Sequence, residues 1–136
     1  MSVGLNVKHF KDLVIDPTLF TLDREIIWSS SAVNLLLGTA IQESRLTYLR
    51  QMGNGPALGV YQMEPDTHDD IWENFLAYRE GLASLIKKSF RIKTSEALMW
   101  DMGYATAMAR VHYYRVPEAL PDADDVAKLA TYWKKY

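Results

Sequence analysis

The stretch SSAVNLLLGTAIQESRLTYLR, residues 30–50, decides the fold class. Val33, Leu36, Leu37, Ala40, Ile41 and Ser44 stand there at i, i+3, i+4, i+7, i+8 and i+11. That spacing is the period of one helix face, so the segment reads as an amphipathic helix entering a core. Before it, residues 7–15 read as a short helix that stops ahead of Asp16-Pro17, because a residue before proline avoids helical backbone. Thr21 is positioned to cap a second short helix through Trp28. After it, Gly53-Asn54-Gly55-Pro56 breaks the helix, and Pro65 suits the first turn of the next, with Ile71, Phe75 and Tyr78 as its apolar side. A weaker helical run surrounds Leu82, Leu85 and Ile86. Ser95 then caps a long helix through about residue 114, ended by Pro117 and Pro121. Asp122 caps a last one with Val126, Ala127, Ala130 and Trp133 on one side. No segment alternates as a strand does. The expectation is an all-α, compact multi-helix domain over residues 1–136, with one irregular loop at 51–65.

Composition narrows the function classes. The chain is 49% hydrophobic and 24% charged, the balance of a globular domain, and its 136 residues suffice for one core. A net charge of −2, with basic residues scattered apart from Lys87, Lys88, Arg91 and Lys93, argues against nucleic-acid binding. The absence of cysteine excludes disulfides, thiol catalysis and cysteine zinc sites. His9, His68 and His112 lack the i, i+4 spacing of a helical metal site, so neither metal nor cofactor is expected. The apolar run around Leu35-Leu36-Leu37 is too short for a membrane span, and the first residues do not read as a signal peptide.

Glu43 is the residue with the strongest claim to chemistry. Leu36, Ala40 and Glu43 lie at i, i+4 and i+7, which places the carboxylate in line with the apolar stripe. A carboxyl group in apolar surroundings holds its proton more tightly, and a protonated acid can donate to a leaving glycosidic oxygen; the lysozyme glutamate is the standard instance of that pattern. On position alone, the plainer reading is a helix-edge glutamate paired with Arg45 or another cation. The loop that follows bears on the choice. Nineteen residues after Glu43 stands Gln62, within Gly59-Val60-Tyr61-Gln62-Met63-Glu64-Pro65-Asp66-Thr67. Glycine permits close backbone approach, and a sugar needs amide donors and acceptors beside the acid.

This combination resembles the lysozyme-like superfamily of soluble lytic transglycosylases and goose-type lysozymes. There a glutamate-serine pair ending a helix precedes a Gly-Leu-Met-Gln-x-x-Pro-x-Thr segment. Glu43-Ser44, Gly59, Gln62, Pro65 and Thr67 match it, Tyr61 replaces the methionine, and Gly55 sits one position from the first family glycine. Asp101-Met102 resembles the family's asparagine-isoleucine helix, with aspartate in place of asparagine. Leu129-Ala130-Thr131-Tyr132 resembles its Leu-Ala-Ala-Tyr segment, but Trp133-Lys134-Lys135 stands where Asn-Ala-Gly would follow. The resemblance implies a lysozyme-like fold with Glu43 catalytic and Ser44, Gly59, Tyr61, Gln62 and Tyr132 around the substrate, Tyr132 beside Glu43.

The implied activity is cleavage of peptidoglycan glycan strands. An inverting hydrolase needs a second carboxylate roughly 6.5–9.5 Å from the acid. Asp101 and Asp66 are the named candidates, with Glu64, Asp69 and Asp70 also available; a lytic transglycosylase needs none, because the sugar's own hydroxyl closes an anhydro ring. Residues 108–121 and the Tyr132-Trp133-Lys134-Lys135-Tyr136 end also resemble small tail-associated bacteriophage virion proteins. That implies carriage in the phage particle, or the host cytoplasm before assembly, with other virion subunits as partners. A non-catalytic structural tail or baseplate subunit and a peptidoglycan-binding module are the alternatives. Phe10, Leu19, Phe20 and Tyr136 are the expected docking residues. Trp28, Trp72 and Trp100 are assigned to the core, His68 to a helix N-terminus, and His112, Tyr113 and Tyr114 to a packed helix end.

Overall fold

The computed structural model describes residues 4–136 and is helical, with no extended strand among them. Helix α1, Val7–Phe10, is capped by the Asn6 side chain, which accepts from the His9 N–H at 2.9 Å. It does not stop before Asp16-Pro17 as expected. It runs through a π-helical turn, Lys11–Ile15, into α2, Asp16–Leu22. In that turn the Asp16 N–H reaches back to the Lys11 carbonyl, five residues away, so the wider ring absorbs the proline that an α-helical register would reject. Thr21 consequently caps nothing. Its hydroxyl donates to the Pro17 carbonyl inside α2, and residues 23–29 are irregular, pinned where Asp23 accepts from the Trp28 N–H.

Helix α3, Ser30–Ser44, is the expected central helix, capped by Ser29, whose Oγ accepts from the Ala32 N–H. It is shorter than the periodicity predicts. Arg45 and Leu46 adopt left-handed backbone, φ 54° and 58°, which turns the chain and folds Leu46 into the core. Ser44 continues the line of Leu36 and Ala40, so the buried stripe advances by four residues each time and passes Glu43 by.

Helix α4, Pro65–Asn74, begins with its proline in the first turn. A 3-10 turn, Leu76–Tyr78, links it to α5, Glu80–Ser89. Leu76 is buried and Tyr78 points outward, because α4 ends before the expected stripe reaches that residue. The single helix expected over 95–114 is two: α6, Ala97–Trp100, and α7, Met102–Tyr114. Asp101 breaks them with extended backbone, and its carboxylate caps α7 by accepting from the Tyr104 N–H at 2.9 Å. Trp100 is thereby left 58% exposed rather than in the core.

Helix α8, Val126–Lys135, is capped by Asp125, not Asp122, and buries Leu129 and Tyr132 while Val126 faces solvent. Its inward face is thus displaced from the one predicted. The core lies where α3 and the nearly all-buried α7 meet the π turn, α2 and α8. Phe10 and Leu19 are each only 2% exposed and close this core, so they do not serve as docking residues; Phe20 is exposed and stacks on Trp28. His68 stands in the first turn of α4, as expected, with its side chain buried. Trp72 donates to the Tyr104 hydroxyl at 2.8 Å, which leaves that hydroxyl's proton for His68 Nε2 at 2.6 Å and the histidine's own for Asp69. No helix among the described residues is long and apolar enough to cross a membrane.

Candidate active site

A groove of about 580 Å³ opens between the end of α3, the loop at 45–64 and the C-terminal parts of α7 and α8. The loop is held by its backbone. Leu58 bridges both Arg50 and Met63, and the Gly59 N–H donates to the Leu49 carbonyl at 2.8 Å. Gly59 has φ +77°, and a Cβ there would run into the Leu98 carbonyl of α6. Only glycine fits that approach, so Gly59 seats the loop on α6 and does not line the groove. Ser44 has a similar duty. Its hydroxyl is buried and donates to the Val60 carbonyl at 2.6 Å, which latches the end of α3 to the loop, and the residue does not line the groove.

Glu43 lines the groove from α3, but it is exposed rather than enclosed, and the apolar envelope expected from the stripe is absent. Its Oε2 accepts from the Trp133 indole N–H of α8 at 3.0 Å, across 90 positions of sequence. Arg45 makes no ion pair with it among the described residues. Gln62 lines the same groove; its φ of 52° and its Nε2–H donated to the Gly59 carbonyl at 2.8 Å fix the amide against the loop. Tyr61 also lines it, with its hydroxyl turned into the core. The Thr106 proton is committed to the Met102 carbonyl, so Tyr61 must donate to Thr106, and burial pushes its phenol well above the ordinary range.

Tyr132 is not in the groove. It lies beneath it, 2% exposed, packed on Tyr113 and Tyr136, with its hydroxyl donating to the Glu118 carbonyl. Tyr113 takes the place beside Glu43 that was expected of Tyr132. Thr39 gives its proton to the Leu35 carbonyl, so Tyr113 donates to Thr39 at 2.8 Å. Burial pushes the Tyr113 phenol up to about 12, with the Thr39 hydrogen bond opposing and the Glu43 charge adding, so it stays neutral in the groove wall.

Among the candidate second acids, Asp101 caps α7 away from the groove, Asp66 does not line it, Asp69 holds His68 and Asp70 pairs with Arg115 at 2.7 Å. Glu64 is the acid that shares the groove with Glu43. Tyr113 and His112 pack at the end of α7, as expected, and they also line the groove, together with Trp133 of α8. The signal for Tyr113 and His112 was the i, i+3, i+4 run of Ala109, His112 and Tyr113, which puts all three on one α7 face. No cluster of three or more His, Asp or Glu suited to a metal ion occurs among the described residues.

His112 gives the groove wall a pH dependence. Burial, aided by Arg115, lowers its pKa below the ordinary 6.5, against the opposing hydrogen bond to the Tyr136 backbone oxygen at 3.1 Å. Nδ1 is left buried without a partner. The unfolded chain therefore binds this proton more readily than the folded one, and stability is lost as pH falls from 6.5 through the lower folded value. Thermal melts between pH 8 and 5, taken as bracketing conditions of about three units around the histidine range, should show a falling Tm that His112→Gln flattens. An unchanged slope in the variant would assign the acid loss elsewhere.

Fold and site together define an all-helical domain with a groove that sets one exposed carboxylate among aromatic rings and a fixed amide. No protein-family model, curated protein or solved structure matches the chain. What the groove does is therefore argued from its own chemistry.

Proposed function

We propose that this protein cleaves glycan strands of peptidoglycan in the groove, with Glu43 as general acid and then base, on a lysozyme-like fold. The observation that carries the reading is the placement of Glu43. It stands in an open groove with the aromatic residues Tyr48, Tyr61, Trp133 and Tyr136 and the amides of Gln51 and Gln62. Aromatic rings and amides are the groups that bind sugars, through ring faces and hydroxyl hydrogen bonds respectively. In the proposed step Glu43 protonates the glycosidic oxygen and the bond from the anomeric carbon to that oxygen breaks. Either a hydroxyl of the same sugar then attacks the anomeric carbon and gives its proton to the Glu43 carboxylate, or a water attacks from the opposite face and gives its proton to a second carboxylate.

The position of Glu64 bears on which nucleophile attacks. If a water is activated by a second carboxylate, Glu64→Gln should lower the rate by about 10²-fold or more and the products should carry reducing ends. If the sugar's own hydroxyl attacks, that variant should retain activity and the products should be anhydro sugars. Mass spectrometry of digested sacculi reads both. Carriage of the domain in a phage tail is supported only by the likeness of the sequence to tail-associated virion proteins. The non-catalytic alternative, a tail or baseplate subunit, draws on Ser44 and Gly59 serving the fold rather than a ligand. The deciding experiment is release of soluble fragments from purified sacculi by the wild type and by Glu43→Gln. No release by either would overturn the enzymatic reading in favour of a structural or binding role.

A further inference from the structure

We propose that Trp133 is a positioning residue for Glu43: its indole N–H holds Oε2 as an acceptor and assigns the transferable proton to Oε1. An indole nitrogen can only donate. At 3.0 Å from Trp133 Nε1, Oε2 is therefore an acceptor whenever the bond is made, whether the carboxyl group is charged or neutral. In a neutral carboxyl group the carbonyl oxygen is the better acceptor, so the hydroxyl falls on Oε1. Oε1 has no hydrogen-bond partner among the described residues, and the side chain opens on the groove.

The donor is set by the tertiary structure, not by a mobile side chain alone. Trp133 is half-buried on α8 and lies between Tyr132 and the helix end. Tyr132 anchors that turn under the groove, against the Tyr113 ring at 5.8 Å and through its hydrogen bond to Glu118. The Asp125 cap fixes the other end of α8, and the Asn34 amide ties the preceding loop to α3 by donating to the Ala123 carbonyl at 2.8 Å. Donor and carboxylate thus belong to two helices packed on each other, and the carboxyl plane is oriented before any ligand arrives. The hydrogen bond itself does not depend on the glycan reading; its catalytic consequence rests on that reading.

Two measurements separate these. The first needs no activity: in the wild type, the Trp133 indole N–H resonance is followed by nitrogen-edited NMR through the acid range. Its shift should follow one titration that disappears in Glu43→Gln. A resonance indifferent to both pH and Glu43→Gln would overturn the lock. The second is a rate comparison on sacculi with Trp133→Phe, which keeps a ring and removes the donor. We expect kcat to fall about tenfold, with KM little changed and the acid limb of the pH profile displaced, as suits the loss of one hydrogen bond to a charged group. Trp133→His, which restores an N–H, should recover part of kcat. If wild type cleaves and Trp133→Phe has an unaltered pH profile and kcat, the lock is wrong and the glycan reading stands. If no protein cleaves but the indole resonance titrates with Glu43, the lock stands and the glycan reading fails. Should Trp133→Phe not fold, the wild-type titration still decides.

Discussion

Glu43→Gln should abolish release of glycan fragments, with a fall of about 10²–10⁴-fold, the range a general acid contributes. Glutamine keeps the shape of the side chain and an oxygen for the Trp133 N–H, while it removes the proton that the leaving oxygen requires. The fold should not notice the change. Glu43 is exposed and forms no ion pair among the described residues, so Tm should move by less than a couple of degrees, as for surface substitutions of about 0.5 kcal/mol or less. Binding to sacculi should survive, because the aromatic and amide lining is untouched. A variant that loses binding and stability together with cleavage would place Glu43 in the scaffold. One that cleaves at the wild-type rate would remove it from the chemistry.

Gly59→Ala should cost about 3 kcal/mol of stability. Two costs combine. An L residue at φ +77° is strained, and the new Cβ meets the Leu98 carbonyl, a backbone atom that cannot swing aside. The loop must then lift from α6, and with it go the Gly59 N–H bond to Leu49, the Gln62 contact with the Gly59 carbonyl and the Ser44 latch on Val60. Tm should drop by roughly 10 °C, and the urea midpoint should fall at constant m. Gly38→Ala is the internal control. It lies within α3 with open space where the Cβ would go, so it should stabilise by about 0.5–1 kcal/mol through its helix propensity. Equal effects at both positions would show that backbone entropy, and not the contact with α6, governs Gly59.

The sequence determined by itself that the chain is helical and where its main breaks fall. Val33, Leu36 and Ala40 repeat at the helical period, Gly53 to Pro56 cannot continue a helix, and Pro65 can start one. These are local properties, set by neighbours three and four positions apart and by the backbone limits of glycine and proline. The same locality explains the misread boundaries. A cap at Thr21, Ser95 or Asp122 satisfies the same local rule as one at Ser29, Asp101 or Asp125, and only packing selects among them. That Gln62 approaches Glu43 was implied by the family resemblance of the two segments and not by any local rule, and both residues line one groove.

What only the tertiary structure decided is the identity of the residues around Glu43. Trp133 arrives from 90 positions away, Tyr113 and His112 arrive on α7, and Tyr132 is displaced beneath the floor. No period relates these residues, because their meeting depends on how α3, α7 and α8 rotate about their axes to bury Leu36, Val111 and Leu129 together. A helix face records which residues prefer to leave water. The partner helix decides which of them reach the groove, because close packing admits one rotation of each helix and leaves the remaining side chains to line the space between.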